Sequence, residues 1–317
     1  MRQVRDGVLG VIIGDMLGVP VEFYRREALD KDPVTGLRAG GSHAQPLGAW
    51  SDDSALTLCL AESLTQGFKL SVIAQSFVDW KLKQKWTSHG VVFDIGKQTF
   101  MALNNLQKIL ESGDFEALKH LGSESGERTN GNGSLMRTLP LYYHIQKEGV
   151  EQSFEKIWQV SALTHPHVRS ALACTIYLMM LDELIKNETI KEAYIQTQIR
   201  MKAFFTENPV HNTEQETFSR IIEEDISTLT RDEIGSGAYV IDTLEASFWS
   251  LLNTNSYAEA VLRAVNLGND TDTTGAVTGG MAGVFYGIDT APKEWYEAVV
   301  KKGEIEGLCV KMVEDTL

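Results

Sequence analysis

Residues 268–288 read GNDTDTTGAVTGGMAGVFYGI, and how this stretch folds decides the architecture of the chain. It opens on two aspartates set among hydroxyls, Asp270 and Asp272, and then runs without a charge to Ile288. Within it Gly275, Gly279, Gly283 and Gly287 recur at every fourth position, which on a helix lines one face with bare backbone. Each glycine costs a helix about 1 kcal/mol relative to alanine. That cost is tolerated where another backbone must come closer than the usual spacing of about 8–10 Å between helix axes. A second stripe, Gly7, Gly10, Gly14 and Gly18, lies near the start of the chain. The two helices are expected to be central and closely packed, each the candidate partner of the other. A membrane span is excluded, because it needs about 20 apolar residues with fewer glycines.

Outward from these stripes, apolar residues at three-and-four spacing predict helices over 55–64, 72–82, 100–110, 169–185, 218–229, 241–252 and 257–265. Alternating strand patterns between turn signals are absent. The expected fold is all-α, a single compact orthogonal bundle of many helices, with residues 1–317 as one domain. Two segments read as loops: 30–50, rich in Gly and Pro, and 111–133, polar and ending in Asn130-Gly131-Asn132-Gly133. The polar stretch 186–233 reads as an outer helical layer without chemistry of its own.

The 317 residues carry a formal net charge of -14, with no Lys/Arg cluster, which disfavours nucleic acid as a primary partner and anionic membrane surfaces alike. Cys59, Cys174 and Cys309 are far apart among apolar residues and read as reduced core positions. The opening MRQVRDGVLG lacks a long apolar core. No leader is expected from it, and the expected location is cytoplasmic.

Two carboxylate clusters carry the chemistry. Ser51-Asp52-Asp53-Ser54 precedes the helix ALTLCLAESL, and Asn269-Asp270-Thr271-Asp272-Thr273 precedes the glycine-striped helix. Helix capping explains one such side chain at each start. It does not explain two carboxylates opening helices whose composition marks them as buried, where an unpaired charge is costly. Oxygen-only donors suit a hard cation such as Mg²⁺, Mn²⁺ or Ca²⁺ and disfavour zinc. Four aspartates brought together match two divalent cations in charge.

Five motifs in order then resemble one family. Gly14-Asp15-Met16-Leu17-Gly18-Val19-Pro20-Val21-Glu22 is similar to the opening motif of the ADP-ribosylglycohydrolases, the group that includes the dinitrogenase-reductase-activating glycohydrolase. Trp50-Ser51-Asp52-Asp53-Ser54 resembles their Thr-Asp-Asp metal motif, with Ser51 in place of Thr. Gly131-Asn132-Gly133-Ser134-Leu135-Met136-Arg137, Thr164-His165-Pro166 and Gly268-Asn269-Asp270-Thr271-Asp272-Thr273 resemble three further family segments, the last with Asn269 in place of Gly.

The resemblance implies a metal-dependent hydrolase with two divalent cations, Mg²⁺ or Mn²⁺. The implied ligands are Ser51, Asp52, Asp53, Asp270, Asp272 and Thr273. Glu22, Asp52, Asp53, Asp270 and Asp272 would form the catalytic set. Asn132 and Gly133 would meet the diphosphate, and His165 the distal ribose or phosphates. Asp94 and Gly96 would line the substrate cleft, and Tyr239 would lie near the adenosine. Thr129 stands where some members carry an acid. The implied partner is an ADP-ribosylated protein, with arginine the leading linkage. Serine-linked, O-acetyl, nucleic-acid-base and small-molecule conjugates stay open, as does a catalytically silent binding or structural member. Without the resemblance, Glu22 reads as an exposed surface carboxylate. His167 has no such support and reads as structural or exposed.

Overall fold

The computed structural model describes residues 2–124 and 130–314. Helices dominate, and among these residues there is no strand, only two isolated bridges, Gly40 with Gln45 and Gly131 with Tyr239. Helix α1 (Arg2–Gly18) is buried at every residue from Asp6 onward. Helix α2 spans Asp52–Leu64, α3 Leu70–Lys83 and α4 Lys97–Ser112. After α5 (Leu139–Ile145) and α6 (Phe154–Ala162) come the long α7 (Val168–Lys186) and α8 (Ile190–Glu207). The chain closes with α9 (Val240–Leu252), α10 (Tyr257–Val265), α11 (Thr271–Tyr286) and α12 (Lys302–Glu314).

The glycine stripes meet. Along α1 and α11 the facing pairs are Asp6 with Gly283, Gly10 with Gly279, Gly14 with Gly275 and Gly18 with Asp272. The numbering runs in opposite directions, so the helices are antiparallel. A methyl group on Gly10 would sit 2.2 Å from the Gly279 carbonyl oxygen, and one on Gly14 2.0 Å from that of Gly275. No side chain but hydrogen fits there. Because neither helix exposes a polar face over this length, both belong inside the bundle. The amphipathic α4 lies outside them, burying only Thr99, Leu103 and Leu106.

Two of the sequence expectations need correction. The predicted helix over 218–229 is a single turn, Ser219–Ile222, followed by a 3₁₀ turn at Ile226–Thr228. Its apolar residues Phe218, Ile221, Ile222 and Ile226 are buried as the spacing requires. The helix breaks because the Asp225 carboxylate accepts from the Ser227 N–H (3.2 Å) and hydroxyl (2.6 Å), an alternative to the helical ladder. The segment 111–133 is not all loop, since 3₁₀ turns run over Phe115–Glu124. Thr129 and Glu127 lie outside the described residues. The three cysteines are free and buried, as read.

Candidate active site

Both aspartate clusters open helices whose starts lie side by side. Ser51 caps α2 and accepts from the Asp53 N–H (3.3 Å), which leaves Asp52 and Asp53 in a first turn whose dipole favours negative charge. The cap is held from below by Asp15 of α1. Its carboxylate accepts from Ser51 N (3.0 Å), Ser54 N (3.0 Å) and the Ser54 hydroxyl (2.6 Å). On the other side Asp270 caps α11 by position, without a side-chain capping bond. Thr271 donates to the Gly18 carbonyl (2.8 Å), tying this helix start to the end of α1. Between the clusters, Asp53 Oδ2 accepts from Ser51 Oγ (3.1 Å) and from Thr273 Oγ1 (3.4 Å). One carboxylate thus joins the two helix starts.

Glu22 follows the 3₁₀ turn Val19–Val21 and is buried, at 5% exposure, so the surface reading of this residue is wrong. Carboxylate oxygens of Glu22, Asp270 and Asp272 lie within 4.8 Å of one another. The segment after Glu22 is clamped to Asn269 by two backbone bonds, Phe23 N to Asn269 O (2.6 Å) and Asn269 N to Tyr24 O (2.7 Å). Both Phe23 (φ 66°) and Asn269 (φ 62°) are left-handed. The position where the family carries Gly therefore does need positive φ, and asparagine is among the few other residues that accept it. Such conformations cost about 1–3 kcal/mol each and concentrate at functional sites.

A loop residue completes this side. His43 Nε2 hydrogen-bonds Glu22 Oε2, and the Ser42 hydroxyl donates to the Glu22 carbonyl. The loop comes this close because Gly41 lies against Pro20, where a methyl group would sit 1.7 Å from the Pro20 oxygen. A carboxylate oxygen of Asp94 and a His43 ring nitrogen lie within 4.8 Å of each other and of Glu22.

Burial and mutual repulsion set the electrostatics. Asp52, Asp53 and Asp272 are pushed well above the usual carboxylate range, first by burial and then by one another and by neighbouring acids. Glu22 rises to about 10 from burial and the charges of Asp94, Asp270 and Asp52. Burial raises Asp94, opposed by His43. Asp15 rises only to about 6, since hydrogen bonds from Ser54 and Ser51 offset its burial. Asp53 Oδ1 and Asp272 Oδ2 are buried with no hydrogen-bond partner among the described residues. Orphaned carboxylate oxygens, oxygen donors from two helices and strong mutual repulsion fit a site that takes divalent cations.

The remaining predicted residues surround this cluster unequally. Asn132 reaches it: its amide donates to Asp270 Oδ2 (2.7 Å) and Thr243 Oγ1 (2.8 Å). Its backbone N–H donates to Ala238 O (3.1 Å), so these donors are engaged within the protein. Gly133 lies against the His165 ring, where a methyl group would be 2.6 Å from Cε1. His165 is buried, its Nδ1 is hydrogen-bonded to Thr164 Oγ1 (2.8 Å), and its pKa falls to about 3 from burial and the nearby Arg137. Arg137, itself buried, donates to the Gly133 carbonyl and to Val160 O (3.3 Å), which pins the loop. The half-buried Tyr239 is zipped to this loop through Val240 N to Asn130 O (3.2 Å), and its hydroxyl accepts from Arg169 (3.0 Å). Gly96 is exposed at the start of α4. His167 caps α7, accepting from Arg169 N (3.1 Å), a structural role as read.

Sequence reasoning missed Asp15, His43 and Phe23. Asp15 had a signal, a carboxylate set in the apolar, glycine-striped run 7–18. His43 and Phe23 had none, because only the folded loop brings them to Glu22.

A model of the protein family described as ADP-ribosylglycohydrolase matches residues 1–316. The chain is 30% identical over 317 residues to the ADP-ribosylarginine hydrolase Tri1 of Serratia proteamaculans (strain 568), covering 98% of this chain and 79% of the relative. It is 26% identical over 305 residues to the ADP-ribosyl-(dinitrogen reductase) glycohydrolase of Rhodospirillum rubrum, covering 94% and 90%. A solved structure described as an ADP-ribosylglycohydrolase-related protein complex superposes with a TM-score of 0.75 at 26% identity, covering 100% of this chain and 98% of the other.

Proposed function

The chain belongs to the ADP-ribosylglycohydrolase family, and from that premise we propose that it hydrolyses the N-glycosidic bond between ADP-ribose and an arginine side chain of a modified protein. The linkage follows the activity for which the Tri1 relatives are named, and the similarity to them spans 98–99% of this chain. One observation carries the catalytic reading: Asp53 of one helix start and Asp272 of the other each bury an oxygen that nothing among the described residues satisfies.

Ser51, Asp52, Asp53, Asp270, Asp272 and Thr273 would hold two divalent cations, Mg²⁺ or Mn²⁺. When bound, these ions neutralise the carboxylates and polarise the hydroxyl oxygens of the distal ribose. The side chains do the rest. As water adds at C1″ and the C1″–N bond breaks, positive charge develops on the ribose ring and is met by the carboxylate oxygens of the cluster, with Asp94 beside the four aspartates that the two ions would offset. Glu22 carries the proton exchanged between the attacking water and the departing nitrogen, its carboxyl oriented by the hydrogen bond between Oε2 and His43. Asn132 fixes Asp270 in place through its amide. His165, kept neutral by burial, orients the distal ribose or phosphates, while Asp94, Gly96, Gly133 and Tyr239 line the cleft. Residues 1–317 act as one domain, and the free, buried cysteines suit the reducing cytoplasm. Among the described residues no helix is long and apolar enough to cross a membrane.

The test is a panel of arginine-linked, serine-linked and O-acetyl ADP-ribose conjugates, assayed with and without EDTA. The expected result is ADP-ribose release from the arginine conjugate, lost in EDTA and restored by Mg²⁺ or Mn²⁺. Binding of ADP-ribose without release from any conjugate would overturn it in favour of a silent binder.

A further inference from the structure

Phe23 immediately follows Glu22 and is 67% exposed, a large apolar ring left in water at the edge of a buried acid cluster. Its left-handed backbone is pinned by the two bonds to Asn269, the residue before Asp270. The backbone that carries the ring is therefore held in place rather than lying on a loose loop. On its inner side it packs against His43, with ring centroids 5.7 Å apart and planes tilted by 56°. The same imidazole lies 5.4 Å from Phe93, the residue before Asp94. Each phenylalanine is thus the chain neighbour of a carboxylate, Glu22 or Asp94, and His43 stands between them bonded to Glu22. A strained conformation spent on exposing an aromatic ring has no use inside the fold, so its use lies in what arrives from outside.

We infer that Phe23 is a specificity residue, the face on which the guanidinium of the modified arginine lies while its bond to ribose is cut. The inference rests on the arginine-linked reading above. A guanidinium is planar, weakly hydrated and cationic, so it stacks on aromatic faces and pairs with carboxylates at once. Phe23 offers the face, and the carboxyl groups of Glu22 and Asp94, chain neighbours of the two phenylalanines, offer oxygen acceptors for the guanidinium N–H groups. A serine oxygen brings neither a plane nor a positive charge, and an acetyl ester is planar but uncharged, so neither gains the cation–π contact that this ring offers. The position also fits the leaving group, because Phe23 is the chain neighbour of Glu22, proposed to exchange the proton with the departing nitrogen.

The experiment measures steady-state hydrolysis of ADP-ribosylarginine, and inhibition by ADP-ribose, for wild type, Phe23→Ala, Phe23→Leu and Phe23→Trp. Leucine keeps apolar bulk and removes the π face, whereas tryptophan enlarges it. Phe23→Ala and Phe23→Leu are expected to raise KM by about three- to tenfold, the effect falling on KM rather than kcat, with Phe23→Trp at or below the wild-type KM. The inhibition constant for ADP-ribose, which has no guanidinium, is expected to stay within twofold. Thermal unfolding of each variant checks that the exposed substitution leaves the fold intact. A Phe23→Leu enzyme with wild-type KM overturns the inference, as does an equal loss of ADP-ribose affinity. Wild type that fails to cleave ADP-ribosylarginine at all overturns the arginine-linked reading itself.

Discussion

Replacing Gly14 by alanine adds one methyl group at the crossing of α1 and α11. Its Cβ would lie 2.0 Å from the Gly275 carbonyl oxygen, 2.5 Å from the carbonyl carbon and 2.9 Å from Ala276 N. All three are backbone atoms, so no rotamer change relieves the clash, and reaching even 3.0 Å requires the helices to part by about 1 Å at this point. Helix propensity pulls the other way, favouring alanine by about 1 kcal/mol. Overpacking costs about 1–3 kcal/mol where side chains can adjust, and here they cannot. The expected net loss is at least about 2 kcal/mol, read from denaturant unfolding followed by far-UV circular dichroism. Gly307, exposed in α12 with no atom within 4 Å of its would-be Cβ, is the control. Gly307→Ala should gain about 0.5–1 kcal/mol, the propensity term alone. If both substitutions shift stability in the same direction and by similar amounts, the close-packing account of the glycine stripe is wrong.

Asp15→Asn should cost about 1–3 kcal/mol in the same unfolding assay, because an amide nitrogen would face one of the donors that the carboxylate now satisfies. Glu22, raised from 4.5 to about 10, and the aspartates raised with it make chelated protein more stable at low pH than at high pH. Acids with raised folded values keep their protons as the unfolded chain gives them up, so stability falls as pH rises above 4.5. Melting temperature in EDTA should therefore drop between about pH 5.5 and about pH 8.5, and Mg²⁺ should restore most at the higher pH. His165, lowered from 6.5 to about 3 by burial and Arg137, has the opposite sign: its contribution is present above pH 6.5 and is lost as pH falls toward 3. Its ring resonances should show no titration between about pH 8 and about pH 5, whereas a midpoint near 6.5 would contradict its burial beside Arg137.

What the sequence made legible was local. Glycine spacing declared two helices that need a bare face, and the facing pairs Gly10–Gly279 and Gly14–Gly275 follow from it. The aspartates were legible for the same reason, since two carboxylates at the start of a buried helix exceed what capping uses. The rest depended on chain reversals that no short window reports. His43 reaches Glu22 because Gly41 nests against Pro20, and Phe23 is fixed by Asn269, about 250 residues away in sequence. The failure over 218–229 has a local cause that hydrophobic spacing overlooks. Glu223-Glu224-Asp225 interrupts the apolar face with a side chain able to hydrogen-bond its own backbone. Asn132 shows a subtler limit: its type was readable as a polar contact, but not that its amide reaches Asp270.

The central claim is that the helix starts at Ser51–Asp53 and Asp270–Thr273 form one cation centre that hydrolysis requires. Calorimetric titration of Mn²⁺ into wild type and Asp53→Asn tests it most directly, with ADP-ribose release from an arginine conjugate measured on the same samples. The account predicts two ions bound per wild-type chain, loss of at least one in Asp53→Asn with helicity unchanged, and loss of activity in parallel. Hydrolysis that persists in EDTA, by a chain that takes up no divalent cation, would contradict it.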